Sequence, residues 1–209
     1  VLLAAFTYIS LQKLFHPGWL FGLFVVMIPF YLILTVARSH NIEYLNGIFE
    51  MKNASMPIFV SQPYIYIANN YDNFNCLVGA LPGHSFGLKG LFPLWALSGL
   101  KFFFPQLINF PIYVDKTELT TLTLFYDSYY DFGWIGVLLF SCVLGAIAYI
   151  LVVKLREMRN PLGYLLYAQF AAYLMLSFFT TWFSNTTTWF YLILTGIMAL
   201  FYHLRASRW

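Results

Sequence analysis

From Asn160 to Leu204 the chain contains no Asp, Glu, Lys or Arg. A soluble domain carries about 25% charged residues, so a charge-free run of this length points to a hydrocarbon surrounding. Crossing about 30 Å of bilayer takes roughly 20 apolar residues, so the run is too long for one crossing. The polar stretch Ser184-Asn185-Thr186-Thr187-Thr188 divides it into spans at about 161–183 and about 189–202. Residues 18–37, kinked at Pro29, and 133–153, with the small residues Gly136, Gly145, Ala146 and Ala148 for helix packing, form two more. Residues 1–14 read as the tail end of a further span, and the chain reads as the C-terminal part of a longer protein. The composition agrees, at 61% hydrophobic and 9% charged. Backbone polar groups in lipid must be satisfied internally, so the expected fold class is all-α: a polytopic integral membrane protein, one membrane domain over residues 1–209.

Charge sidedness sets the threading. Basic residues near span ends favour the cytoplasm. Placing Lys154, Arg156, Arg159, Arg205 and Arg208 there brings Lys13 with them, against a single acid, Glu157. The segment 38–132 and the 184–188 turn then face outwards, and the outer face holds the other seven acids. Within it, 91–112 is nearly apolar but broken by Pro93, Pro105 and Pro111, and reads as an interfacial or re-entrant element with short helices rather than a crossing.

The outer segment carries the chemistry. Arg38, at the end of a span, can pair with phosphate through its planar fork; the alternative is an anchor at headgroup level. His40 and His84 are candidate proton carriers and general bases by residue type. Lys89, Lys101 and Lys116 add positive field for an anionic head. Asp127 and Asp131 lie one helical turn apart and could hold a cation, accept a proton from a sugar hydroxyl, or serve a helix N-terminus. Tyr64, Tyr66, Asn69, Asn70, Tyr71, Asp72, Asn73 and Phe74 combine rings with amides, as a carbohydrate groove requires, although a membrane aromatic belt uses the same rings. Cys76 and Cys142 make no disulfide framework. No phosphate loop, zinc spacing, nucleophile elbow or dinucleotide fingerprint occurs, and the net charge of +3 is too diffuse for nucleic acid.

The stretch Thr120-Thr121-Leu122-Thr123-Leu124-Phe125-Tyr126-Asp127-Ser128-Tyr129-Tyr130-Asp131-Phe132-Gly133-Trp134-Ile135-Gly136 resembles the C-terminal half of the Wzy-type oligosaccharide repeat-unit polymerases of O-antigen and capsule synthesis. So do the Lys/Arg loop with Asn160-Pro161, the aromatic penultimate span and the region from Tyr71 to Phe74. The resemblance implies a helical bundle of the C-type glycosyltransferase kind in the bacterial cytoplasmic (inner) membrane. It implies a glycosyltransferase that moves a growing glycan from undecaprenyl diphosphate onto another lipid-linked repeat unit. The partners implied are that lipid-linked oligosaccharide, membrane lipid and a chain-length regulator protein; no cofactor or metal is implied. On this reading Asp131, Asp127 or His40 is the base. Arg38, Lys89 and Lys116 meet the diphosphate, and Tyr71, Asn73, Tyr126 and Tyr130 meet sugar. An O-antigen ligase uses the same donor and is the nearest alternative; a glycan or lipid transporter and an assembly subunit are the others.

Overall fold

The computed structural model describes residues 46–157, 160–178 and 180–206, with isolated positions at 18, 22, 25–27, 29–30 and 33–34. The expected span at 1–14, most of that at 18–37, and both Arg38 and His40 lie outside the described residues. Among the described residues every regular element is helical. The α-helices are α1 (Ile58–Ala80), α2 (Phe92–Leu97), α3 (Tyr126–Glu157), α4 (Pro161–Met175) and α5 (Thr186–Ala206), with 3₁₀ turns at Leu100–Phe102, Pro105–Leu107 and Trp182–Ser184.

Two of these, over Tyr126–Lys154 and Thr186–Arg205, are long and apolar enough to cross a membrane. The fourth expected span is shorter than its apolar sequence. Helix α4 starts where Asn160 Oδ1 accepts from Leu162 N–H (3.0 Å), with Pro161 in the first turn. It ends at Met175, and its 15 residues reach only about 22 Å at the helical rise. Ser177 then turns back: its backbone carbonyl accepts from Leu124 N–H (3.0 Å) and its hydroxyl donates to Tyr173 O (2.6 Å). Helix α5 begins earlier than its apolar run because Asn185 Oδ1 accepts from Thr187 N–H (2.8 Å).

Helices α4 and α5 form an antiparallel hairpin, and Asn160 Nδ2 donates to Ala199 O (2.7 Å) across it. One end of the bundle therefore gathers the start of α3, the end of α4 and the start of α5. Lys154 and Arg205, both exposed, mark the opposite end.

Within 46–132, the described part of the expected outer segment, α1 alone has 23 residues, longer than the short helices expected there. Its buried positions, Ile58, Ser61, Ile65, Asn69, Asn70, Asn73 and Leu77, recur at helical spacing on one face. That face is largely polar, which hid the helix from a search for apolar periodicity. Tertiary bonds hold it: Asn69 Nδ2 donates to Leu119 O (3.2 Å), and Asn73 Nδ2 to Leu119 O and Thr121 O (both 2.8 Å). The 91–112 stretch makes α2 and two 3₁₀ turns, none of them long enough for a helical crossing.

Helix α1 meets α3 at a core of Leu77, Tyr126, Tyr129 and Tyr130, packed by Phe74, Phe110, Tyr113 and Leu122. Burying each such side chain contributes about 1.5–3 kcal/mol. The rings meet edge to face, Phe74 with Tyr129 at 5.4 Å and Tyr129 with Trp134 at 5.0 Å between centroids.

Candidate functional site

Helix α3 is broken within the Asp131-Phe132-Gly133 motif. Phe132 (φ −137°, ψ 15°) and Gly133 (φ 61°, ψ −146°) leave helical geometry, and the second conformation is open essentially to glycine alone. The break frees backbone carbonyls that a continuous helix would use. Segment 84–90 satisfies them: Ser85 N–H donates to Tyr130 O (3.2 Å) and Phe86 N–H to Asp131 O (3.0 Å). His84 Nδ1 lies 3.3 Å from Tyr130 O. A carbonyl only accepts, so this nitrogen carries the proton.

The same segment surrounds the Asp131 side chain. Its Oδ1 accepts from Ser85 Oγ and from Lys89 N–H (3.1 Å), and its Oδ2 from Gly90 N–H (2.7 Å). One turn earlier, Asp127 Oδ1 lies 3.7 Å from Lys89 Nζ, with both side chains nearly buried. The Ser184 and Thr181 side chains, in the turn before α5, lie near Asp127. The Lys89 ammonium sits 4.6 Å from the Tyr130 ring centroid and 5.6 Å from that of Tyr126, a cation–π setting.

Asp127, Ser128, Asp131, Gly90 and Ser184 form the polar end of a cavity of about 650 Å³. The rest of its wall is apolar. Leu139, Phe140, Val143, Leu144, Ile147 and Leu151 line it from one face of α3, facing Phe170 of α4 and Trp189, Leu192 and Ile193 of α5. From Gly136 to Leu151 that face extends about 22 Å at the helical rise. The arrangement offers a long apolar wall with two carboxylates at one end.

Of the residues that sequence singled out, the fold brings Asp127 and Asp131 to this cavity, with Lys89 directly behind them. Tyr126 and Tyr130 are buried in the core. Tyr126 has no exposed surface, and its hydroxyl donates to Tyr113 O (2.8 Å) and accepts from Tyr113 N–H (2.7 Å). Asn73 is likewise buried and spent on backbone, its Oδ1 accepting from Asp115 N–H (2.9 Å). Ring size and amide chemistry suit a core strut as well as a sugar, which is why sequence could not separate them. Tyr71 is 64% exposed on α1 and does not line the cavity. Lys116 pairs with Glu50 (3.1 Å) and donates to Ile48 O (2.8 Å), also outside the cavity. Burial, then the charges of Asp115 and Asp72, raise the Cys76 thiol above its ordinary value.

Ser85, Gly90, Thr181 and Ser184 were not evident as site residues. The one signal for the first two is the spacing in Ser85-Phe86-Gly87-Leu88-Lys89-Gly90, where glycines let successive N–H groups turn towards one acceptor. Among the described residues no group of three or more His, Cys, Asp or Glu side chains is placed to hold a metal. No protein-family model, curated protein or solved structure matches the chain.

Proposed function

We propose that this protein is a membrane glycosyltransferase that polymerises oligosaccharide repeat units carried on a polyprenyl diphosphate, at the outer face of a bacterial cytoplasmic membrane. The observation that carries the reading is the pairing of two carboxylates, Asp127 and Asp131, with a long apolar cavity. A lipid-linked sugar has that same division, a hydrocarbon chain and a hydroxyl-rich head.

The membrane placement is supported by the surface of α3 and α5. Ile135, Leu138, Ile197 and Phe201 are 60–69% exposed, an apolar area that needs lipid or protein to cover it. The sidedness of the charges supports the orientation, because the carboxylates and the turn before α5 share the end opposite Lys154 and Arg205.

In the reaction, an acceptor sugar hydroxyl attacks the anomeric carbon of the donor, and the bond from that carbon to the diphosphate oxygen breaks. The lipid diphosphate leaves with the electron pair, and the hydroxyl proton passes to a carboxylate. Asp127 suits that role better than Asp131, whose two oxygens are held by three donors of segment 85–90. Lys89 keeps a positive charge beside Asp127. Arg38, by its sequence position, is the candidate to meet the growing negative charge on the diphosphate.

The test is reconstitution. Purified full-length protein in liposomes, supplied with polyprenyl-diphosphate-linked repeat units alone, should yield a ladder of multimers and free lipid diphosphate. Product that never exceeds a single unit, from protein that is folded and inserted, would reject the assignment.

A further inference from the structure

In the sequence Asp131 stands as a candidate base, but its surroundings are those of an anchor. It is 4% exposed, and all three side-chain hydrogen bonds it accepts come from one short segment, through Ser85 Oγ, Lys89 N–H and Gly90 N–H. The approach is close. A Cβ on residue 90 would lie 2.6 Å from Asp131 Oδ2, so only glycine fits there without a shift. The backbone carbonyls of Tyr130 and Asp131 take two further N–H donors from the same segment. Segment 85–90 is thus fastened to the broken end of the first part of α3, and Lys89 rides on it. The outcome is that Lys89 Nζ rests 3.7 Å from Asp127 Oδ1.

We infer that Asp131 is a positioning residue. Its carboxylate sets the register of segment 85–90 and thereby keeps the Lys89 ammonium against Asp127 at the polar end of the cavity. This rests on the reading of Asp127 as the base of a glycosyl transfer. The separation of roles is physical. Three donors from one short segment on its two oxygens make Asp131 a fixed point for that backbone, whereas Asp127 faces the Lys89 ammonium and lines the cavity.

The experiment measures Lys89 directly. Full-length wild type, D131A, D131N and G90A in native membranes are treated with a small amine-reactive reagent, and modification of Lys89 is quantified by mass spectrometry. Reaction requires the segment to open, and each lost hydrogen bond eases that opening, so D131A should label about tenfold faster or more. D131N keeps one acceptor oxygen in the same shape and should show a smaller rise. G90A removes no polar group, yet its methyl displaces Oδ2 and should also expose Lys89, which covers the case of a D131A protein that does not accumulate.

Polymer yield in cells supplies the second readout, as a cycle of D131N with K89A. If Asp131 acts through Lys89, the double variant makes no less polymer than K89A alone. Unchanged Lys89 labelling in D131N and G90A, or losses that multiply in the cycle, would overturn the inference. If D127A and K89A both polymerise normally, the base assignment fails, while the labelling result still decides the positioning role on its own.

Discussion

Replacing Gly133 by Ala tests the break in α3 with little other change. The native conformation, φ 61° and ψ −146°, costs a residue with a side chain about 1–3 kcal/mol. The added Cβ would also lie 3.1 Å from His84 Nε2 and 3.2 Å from Cε1. That ring is tied through Nδ1 to Tyr130 O, so moving it away loses a hydrogen bond of about 1 kcal/mol. The total is about 2–4 kcal/mol, and at roughly 2–4 °C per kcal/mol for a chain of this size the melting temperature should fall by about 10 °C. Thermal unfolding of detergent-solubilised protein, followed by circular dichroism, measures it. The matched control is G145A, at a helical glycine with no atom near its added Cβ, where a Gly to Ala change gains up to about 1 kcal/mol. If G133A melts with the wild type, the strain argument for the Asp131-Phe132-Gly133 motif is wrong.

Other outcomes follow from the same contacts. Asn73→Ala removes three buried hydrogen bonds and should cost about 3 kcal/mol of stability; normal melting with lost activity would instead restore Asn73 as a sugar ligand. Lys89→Met leaves Asp127 buried without its counter-ion and should destabilise by about 3 kcal/mol. Lys116→Ala should change stability by under about 1 kcal/mol, since its partner Glu50 is 83% exposed. Topology reporters fused near Asn70 and near Glu157 should register on opposite sides of the membrane, with Asn70 outside; both on one side would undo the threading.

How much was legible in the sequence depended on which force set each element. The long apolar runs of α3 and α5 were legible from hydropathy, and the carboxylates of Asp127 and Asp131 were evident from charge and spacing. Helix α1 escaped because its buried face is an asparagine ladder, specified by carbonyls at Leu119 and Thr121 some 50 residues away in sequence. The ends of α4 and α5 were misplaced because Ser177 and Asn185 stop and start helices through local hydrogen bonds that hydropathy ignores. The aromatic run before Gly133 was ambiguous for a chemical reason, since a tyrosine that seals a core and one that stacks on a sugar have identical side chains. Only the pairing of the Tyr126 hydroxyl with both backbone groups of Tyr113 separates the two.

The most direct measurement is the surface glycan made by cells whose only copy of this protein carries Asp127→Asn, an isosteric change, at wild-type abundance in the membrane. The account predicts lipid-linked or capped single repeat units and no ladder above them. A full-length ladder from that strain would contradict it.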